Sequence, residues 1–146
     1  MKRIVVGVDG SEAATAALEW AMDTAASRDA DIEAVHVYEI GLAWIDGYQP
    51  DIARWEEEAA AAARGLLDAM VDRAQGAHPG VKVTRTVIEG PPARTLIECA
   101  KDADLLVVGA RGRGGLPGLL LGSVSNQCTH HARCAVVVVP APHDRA

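Results

Sequence analysis

The sequence predicts an α/β fold in which a single parallel sheet carries helices on both faces. Short apolar runs rich in β-branched residues alternate with longer alanine-rich or amphipathic segments along the whole chain. A helix between two such strands favours a right-handed crossover that makes the strands parallel. The 146 residues contain no internal repeat, linker or low-complexity segment and can form one domain with a sizeable core.

Five segments have the composition of strands. Residues 4–8 and 105–108 are continuous apolar runs, as expected of strands that are buried on both faces. Residues 81–88 instead alternate valine with lysine and threonine and predict a half-exposed strand. The predicted strands are 4–8, 31–38, 81–88, 105–108 and 135–139.

Four segments predict helices. Ser11 is a favourable N-cap for a helix that extends through the alanine-rich residues 13–26. Apolar residues then recur at intervals of three and four, which predicts a long amphipathic helix ending near Gly76. Its predicted buried face consists of Ile52, Trp55, Ala59, Ala62, Leu66, Met70 and Ala74. Two shorter helices are predicted, one starting at the Gly90-Pro91-Pro92 segment and one over residues 124–131.

The segment 109–125, between the fourth strand and the last helix, contains six glycines among seventeen residues. Glycine lets other groups approach the backbone closely. Two arginines lie in the segment, and Ser123 and Ser125 fall where the helix starts. Unpaired amide groups and the positive end of a helix dipole attract anions. The segment therefore predicts a phosphate site at the carboxyl edge of the sheet, where Asp9 also follows the first strand.

Two common phosphate-binding motifs do not fit this segment. A P-loop needs a lysine after its last glycine, and the three lysines of the chain, Lys2, Lys82 and Lys101, lie elsewhere. A dinucleotide-binding fingerprint would follow the first strand and would need a glycine where Pro117 stands. The segment is therefore a different kind of phosphate loop.

The spacing Gly109-x2-Gly112-x9-Gly122-Ser123 resembles the ATP-binding pattern G-x2-G-x9-G-[ST] of the universal stress protein family. The resemblance extends over the opening IVVGVDGS, the VHV strand end at 35–37, the DLLVVGARGRGG segment and the closing AVVVVP. It implies one domain over residues 1–140, followed by a short tail at 141–146. It also implies a doubly wound, five-stranded parallel sheet in the order 3-2-1-4-5, and membership of the ATP-binding branch.

The resemblance further implies a site for ATP, with Mg²⁺ or Mn²⁺ bound through its phosphates. Gly7, Val8 and Asp9 would line the adenosine pocket, and the Asp9 carboxylate would meet a ribose hydroxyl or the adenine. Val37 would present backbone groups to the adenine edge. The residues expected around the ribose and phosphates are Gly109, Arg111, Gly112, Gly122, Ser123, Val124 and Ser125.

Each polar residue of this expected site also has a structural interpretation. An aspartate after a strand, such as Asp9, is commonly a turn residue or a helix cap. Ser123 and Ser125 would serve equally as caps of the last helix. Arg111 and Arg113 are interpreted alternatively as solvated loop charges, although we expect Arg111 to contact the ligand.

Other chemically capable side chains are interpreted as structural. His36 lies at alternating spacing in a buried strand and is expected to be a hydrogen-bonded core histidine rather than a catalytic base. Four residues at the end of the chain have the composition of a zinc site, but they cross from a helix into a strand and should not converge. They are Cys128, His130, His131 and Cys134. Trp44 and Tyr48 would either close over the nucleotide or pack at an interface.

Composition limits the partners and the compartment. The formal net charge of −6 argues against a nucleic-acid or anionic-membrane partner. No apolar run approaches the roughly 20 residues that span a bilayer, and the run after residues 1–3 is too short for a signal peptide. The three cysteines, which include Cys99, lack the dense, even spacing of a secreted disulfide scaffold. We therefore expect a cytoplasmic protein.

Three functions remain open on the sequence. The first is an ATP-binding regulatory module of the stress response that does not catalyse a reaction or at most hydrolyses ATP slowly. The second is a slow ATPase or autophosphorylating phosphotransferase, in which Asp9 positions a metal or water and Ser123 or Ser125 accepts the phosphate. The third is an interaction scaffold without nucleotide. The sequence does not choose between ATP and cyclic AMP, and it predicts no particular protein partner.

The last strand predicts a homodimer. In the order 3-2-1-4-5 the third and fifth strands are the edges of the sheet, and exposed edges invite uncontrolled pairing. The third strand carries Lys82 and Arg85, whereas residues 135–139 are AVVVV and carry no charge. We therefore expect the fifth strand to pair antiparallel with its copy around a two-fold axis.

Overall fold

The computed structural model describes residues 1–40, 51–112 and 120–142, which form one α/β domain. The strands are β1 (Arg3–Gly7), β2 (Asp31–Tyr38), β3 (Val83–Glu89), β4 (Leu105–Gly109) and β5 (Ala135–Val139). The helices are α1 (Glu12–Arg28), α2 (Ile52–Ala77), α3 (Pro92–Cys99) and α4 (Ser123–His131). All paired strands are parallel and their order is β3-β2-β1-β4-β5, which confirms the predicted fold. Trp44, Tyr48 and Arg113 lie outside the described residues.

The central strand is buried between two layers of helices. Ile4 and Val6 pack in the core beneath α1 and α2, whereas Val5 packs on the opposite face with α3 and α4. All three side chains are fully buried. Because successive side chains of a strand point to opposite faces, a strand covered on both sides must be apolar throughout. No helix in the described part of the chain is long and apolar enough to cross a membrane.

Hydrogen bonds at the start of β1 hold it against β4. The backbone N–H groups of Lys2 and Arg3 donate to Asp104 Oδ2 over 2.7 and 3.0 Å, and the Asp104 N–H donates to the Arg3 carbonyl. These two backbone donors lower the pKa of the Asp104 carboxyl group. The carboxylate therefore helps to align β1 with β4, whose ends both border the candidate site.

The buried face of α2 differs from the predicted one. Ala63, Leu67, Val71 and Ala74 are buried, whereas Ala62 is exposed and Ile52 keeps 42% of its surface exposed. The apolar stripe is thus rotated by one residue over most of the helix. An alanine run from 59 to 63 gives little contrast between faces, so periodicity alone does not fix the phase there.

The rotation of α2 is matched by ion pairs to β3. Arg85 donates to Asp68 Oδ1 over 2.9 Å and to Asp72 Oδ1 over 2.6 Å. These carboxylates raise the pKa of the Arg85 guanidinium. β3 begins at Val83, two residues later than predicted, and Val81 is buried just before it.

His78 joins the end of α2 to α1. Its Nε2 lies 2.5 Å from Asp23 Oδ1, and its Nδ1 lies 3.3 Å from the Ala74 carbonyl oxygen. Both neighbours accept hydrogen bonds, so the doubly protonated imidazolium suits the site. The hydrogen bond to Asp23 is the main reason that the His78 pKa is raised above 6.5.

We predict that this contact stabilises the fold more in acid than in base. A raised folded-state pKa gives stabilisation that is fully present below the unfolded pKa of 6.5 and is lost as the pH rises through the folded value. Asp23→Asn should therefore lower the free energy of unfolding more at about pH 5.5 than at about pH 8.5. Urea denaturation at both pH values measures this difference.

Glu58→Gln is the matched control for that prediction. Glu58 is an exposed carboxylate paired with Arg54, in an ion pair that contains no histidine. Its substitution should lower the free energy of unfolding by the same amount at both pH values. If Asp23→Asn lowers the free energy of unfolding equally at the two pH values, the assignment of the effect to His78 is contradicted.

Candidate functional site

A cavity of about 280 Å³ lies at the carboxyl edge of the sheet. All eleven residues predicted from the sequence line it: Gly7, Val8, Asp9, Val37, Gly109, Arg111, Gly112, Gly122, Ser123, Val124 and Ser125. Five further lining residues were not predicted: Ala14, Val35, Pro92, Leu96 and Val108. These five are apolar or small and resemble ordinary core positions, so only their places near strand and helix ends could have indicated them.

The cavity lies where the winding of the sheet reverses. β1 pairs with β2 on one side and with β4 on the other. In open parallel sheets the connections from two such neighbours leave in opposite directions, and a crevice opens beyond their carboxyl ends. α1, α3 and α4 each contribute a residue of their first turn to the lining, namely Ala14, Pro92 and Ser123. Their positive dipole ends favour an anion there, although the chain is acidic as a whole.

Asp9 has one carboxylate oxygen hydrogen-bonded in the turn before α1 and one directed at Gly112 of the glycine loop, which is the glycine-rich segment 109–125. Oδ1 accepts hydrogen bonds from the Ser11 N–H over 2.9 Å and from Ser11 Oγ over 2.5 Å. Ser11, not Asp9, caps α1, because Ser11 Oγ accepts from the Ala14 N–H. Among residues 1–40, 51–112 and 120–142, Oδ2 has no hydrogen-bond partner. A Cβ atom added at Gly112 would lie 2.5 Å from Oδ2, so only glycine allows this approach.

The glycine loop is closed at its base by the Ala110 carbonyl. This oxygen accepts from the Gly122 N–H over 2.7 Å and from Ser125 Oγ over 2.6 Å. A Cβ atom at Gly122 would lie 3.3 Å from Arg111 Cα and 3.4 Å from Gly112 N. Gly122 has an ordinary extended φ of −79°, so close approach rather than backbone conformation favours glycine at this position.

The two serines of α4 differ in role, and neither caps the helix. Gly122 is the N-cap, and no side chain accepts from the first turn. Ser123 is exposed, and its Oγ accepts from Gln127 Nε2 over 3.3 Å. Ser125 is only 2% exposed, and it donates its hydroxyl proton to the Ala110 carbonyl. The alternative interpretation of both serines as caps was therefore wrong.

One wall of the cavity is apolar. Val35, Leu96 and Val108 belong to the hydrophobic cluster on the α3 face of the sheet, and Val37 packs against it. A Cβ atom at Gly7 would lie 2.8 Å from Leu96 Cδ1, so glycine at the end of β1 lets this side chain cover the strand. The wall would suit a flat aromatic ring, which buries a large apolar area.

The Val37 backbone groups face the end of β1. On β2, the Ile32 N–H and the Tyr38 carbonyl bond toward β3, and the Val35 carbonyl accepts from the Val8 N–H on the β1 side. Because backbone groups alternate between the two sides of a strand, the N–H and C=O of Val37 also point toward β1. β1 has already ended at Gly7, and Val37 lines the cavity.

The residues with metal-binding chemistry at the end of the chain do not form a site. Cys128 is fully buried, and burial raises the pKa of its thiol to about 11. His130 and His131 are exposed on α4. Within the described ranges, no group of three or more histidine, cysteine, aspartate or glutamate side chains could hold a metal ion.

Comparison with known proteins shows the family. The model of the universal stress protein family matches residues 1–140. A universal stress protein of Mycolicibacterium smegmatis is 42% identical over 137 residues, which cover 93% of this chain and 45% of that protein. The chain thus spans about half the length of the curated relatives that it matches.

Solved structures agree with this match. The universal stress protein UspA from Lactobacillus plantarum has a TM-score of 0.78 and 29% identity, with 94% of this chain and 97% of that one covered. A universal stress protein solved in complex with cAMP has a TM-score of 0.72 and 27% identity, with 96% and 97% covered. The chain described here belongs to the universal stress protein family.

Proposed function

We propose that this protein is a regulatory module of the stress response that binds ATP and acts through nucleotide occupancy rather than turnover. The observation that carries the proposal is a single cavity that collects the glycines of the G-x2-G-x9-G-S pattern, the Asp9 carboxylate and an apolar wall. The related structure in complex with cAMP supports an adenine nucleotide as the ligand.

The lining suggests how the nucleotide would lie. The adenine ring suits the apolar wall beside Val37, whose peptide offers both a donor and an acceptor. Asp9 Oδ2 would accept a hydrogen bond from a ribose hydroxyl. The phosphates suit the start of α4, where the amides of Ser123 and Val124 have no partner within the helix. Arg111, which also lines the cavity, would add positive charge.

A divalent cation would be held mainly by the nucleotide. Mg²⁺ commonly binds through substrate phosphates with few protein ligands. The described residues contain no cluster of protein ligands for a metal, so we propose that Mg²⁺ or Mn²⁺ enters with the phosphates. The cation would partly neutralise the phosphate charge beside Asp9.

The lining also supports binding without rapid chemistry. Neither lysine nor histidine is among the described lining residues, and Asp9 already uses Oδ1 in the turn before α1. Phosphoryl transfer needs positioned positive charge and a group that orients the attacking nucleophile. We therefore propose regulation by occupancy.

We predict that the purified protein carries ATP and that Gly112→Val loses it. The valine Cβ would lie 2.5 Å from Asp9 Oδ2 and would fill the space between β1 and the loop. ATP affinity should fall by at least about tenfold, or about 1.4 kcal/mol. Gly65→Ala is the control, since a Cβ there meets nothing within 4 Å, and it should bind ATP normally.

Mass spectrometry of the denatured protein and titration calorimetry measure these effects. Absence of any adenine nucleotide in both experiments would favour the scaffold without nucleotide. Unchanged affinity in a folded Gly112→Val variant would place the ligand elsewhere. Sustained ATP turnover that disappears in Asp9→Ala would favour the phosphotransferase instead.

We predict that Ser123 affects ATP affinity, whereas Ser125 affects the stability of the fold. Ser123→Ala should weaken ATP binding by about 1 to 2 kcal/mol, the order of one hydrogen bond to a charged group, with little change in stability. Ser125→Ala should instead lower the free energy of unfolding by about 1 to 2 kcal/mol, because Ala110 loses a buried donor. Calorimetry and denaturation of both variants separate the two roles. Equal effects on both quantities would contradict this division.

We also propose that β5 pairs with its copy in a two-fold dimer. β5 is an edge of the sheet, and its outer backbone groups belong to Val136 and Val138. This follows because the Val139 carbonyl accepts from the Ala110 N–H on the β4 side, and backbone groups alternate along the strand. The edge carries five uncharged residues.

We predict that Val138→Pro gives a folded monomer. Proline removes an outward N–H and leaves the bonds between β4 and β5 intact. Val138→Thr keeps the N–H and should remain dimeric. Sedimentation velocity gives the mass, and circular dichroism checks the fold. A dimeric proline variant would show that the contact lies elsewhere.

A further inference from the structure

A histidine side chain takes the place of one backbone hydrogen bond between β1 and β2. The Val8 N–H donates to the Val35 carbonyl over 2.8 Å. In a parallel ladder the next bond would run from the Val37 N–H to the Val8 carbonyl. His36 Nδ1 instead lies 2.6 Å from that carbonyl oxygen. In the described part of the chain, no hydrogen bond joins the Val37 N–H to Val8.

The chemistry of this contact fixes the position of a proton. A backbone carbonyl accepts hydrogen bonds and cannot donate them, so His36 Nδ1 must carry the hydrogen. His36 is half-buried, and its ring holds the residue that directly precedes Asp9. The residue is hydrogen-bonded, as predicted, and its partner lies beside the candidate site.

We propose that His36 is a positioning residue for the nucleotide site. By occupying the Val8 carbonyl, the imidazole ends the ladder one bond early and leaves the Val37 N–H available to a ligand. The Val37 N–H and C=O then form an adjacent donor and acceptor at the apolar wall. Adenine has the complementary arrangement, an exocyclic amino donor beside a ring nitrogen acceptor. The inference rests on the proposed nucleotide function for its purpose, although the replaced hydrogen bond can be tested without nucleotide.

Three variants separate this role from simple packing. In His36→Asn the side-chain amide nitrogen can stand near the former Nδ1 and donate to Val8. In His36→Gln the amide nitrogen lies one bond further out and corresponds to Nε2 instead. His36→Leu has no donor. We expect asparagine to preserve the wild-type arrangement. With glutamine or leucine, the Val37 N–H should instead donate to the Val8 carbonyl.

The first measurement is amide hydrogen exchange in the ligand-free protein. The Val37 amide should exchange at least about tenfold faster than the Val35 amide in the wild type, because only the latter lies within the ladder. Exchange at Val37 should slow in His36→Gln and His36→Leu and stay fast in His36→Asn. A protected Val37 amide in the wild type, or the same exchange rate in all variants, would overturn the inference.

The second measurement is the ratio of ATP to GTP affinity. Guanine has a carbonyl where adenine has its amino group. The N–H and C=O groups of Val37 should therefore favour ATP when they are available to the ligand. The ratio should fall by on the order of tenfold in His36→Gln, as expected for one lost hydrogen bond, and should be kept in His36→Asn. Equal ratios in the two folded variants, or a wild type without preference, would reject the role of His36. A wild type that binds neither nucleotide would reject the proposed function, while hydrogen exchange would still decide the hydrogen-bond pattern.

Discussion

The early end of β1 is the constraint on which the rest of the site depends. A central strand normally forms backbone hydrogen bonds with both neighbouring strands. Here β1 stops at Gly7 while β2 continues to Tyr38. The backbone of Val37 is left facing the gap, and the chain turns through Asp9 into α1. An open parallel sheet places its ligand crevice at such a point because the neighbouring connections diverge there. The position of the cavity thus follows from topology, and its chemistry from the residues beside the gap.

Three glycines around this gap let other parts of the chain pack closely against the backbone. Gly7 admits the Leu96 side chain, Gly112 admits the Asp9 carboxylate, and Gly109 packs against the start of α1, where an added Cβ would lie 2.7 Å from Ala13 Cβ. None of these approaches depends on a positive φ. The glycines are therefore required by space rather than by backbone strain, and this explains why their spacing along the chain is informative.

Part of this structure could be predicted from the sequence because its causes are local. Alternating apolar runs and helical segments predicted the parallel sheet, and the spacing of Gly109, Gly112 and Gly122 identified the loop beside the cavity. The rotation of α2 could not be predicted, because alanine at 59–63 carries little hydrophobic contrast and the phase depends on tertiary contacts to β3. The apolar wall was missed for a similar reason, since a valine beside a ligand and a valine in the core look the same in a sequence.

The loop and the edge strand form one hydrogen-bonded unit. The Ala110 carbonyl accepts from Gly122 and Ser125, while the Ala110 N–H donates to the Val139 carbonyl at the end of β5. One residue, Ala110, therefore connects the base of the proposed phosphate loop to the last residue of the proposed dimer edge. Buried, satisfied bonds of this kind resist local opening. A nucleotide at the start of α4 would thus add its contacts to a part of the fold that is already tied to the edge of the sheet.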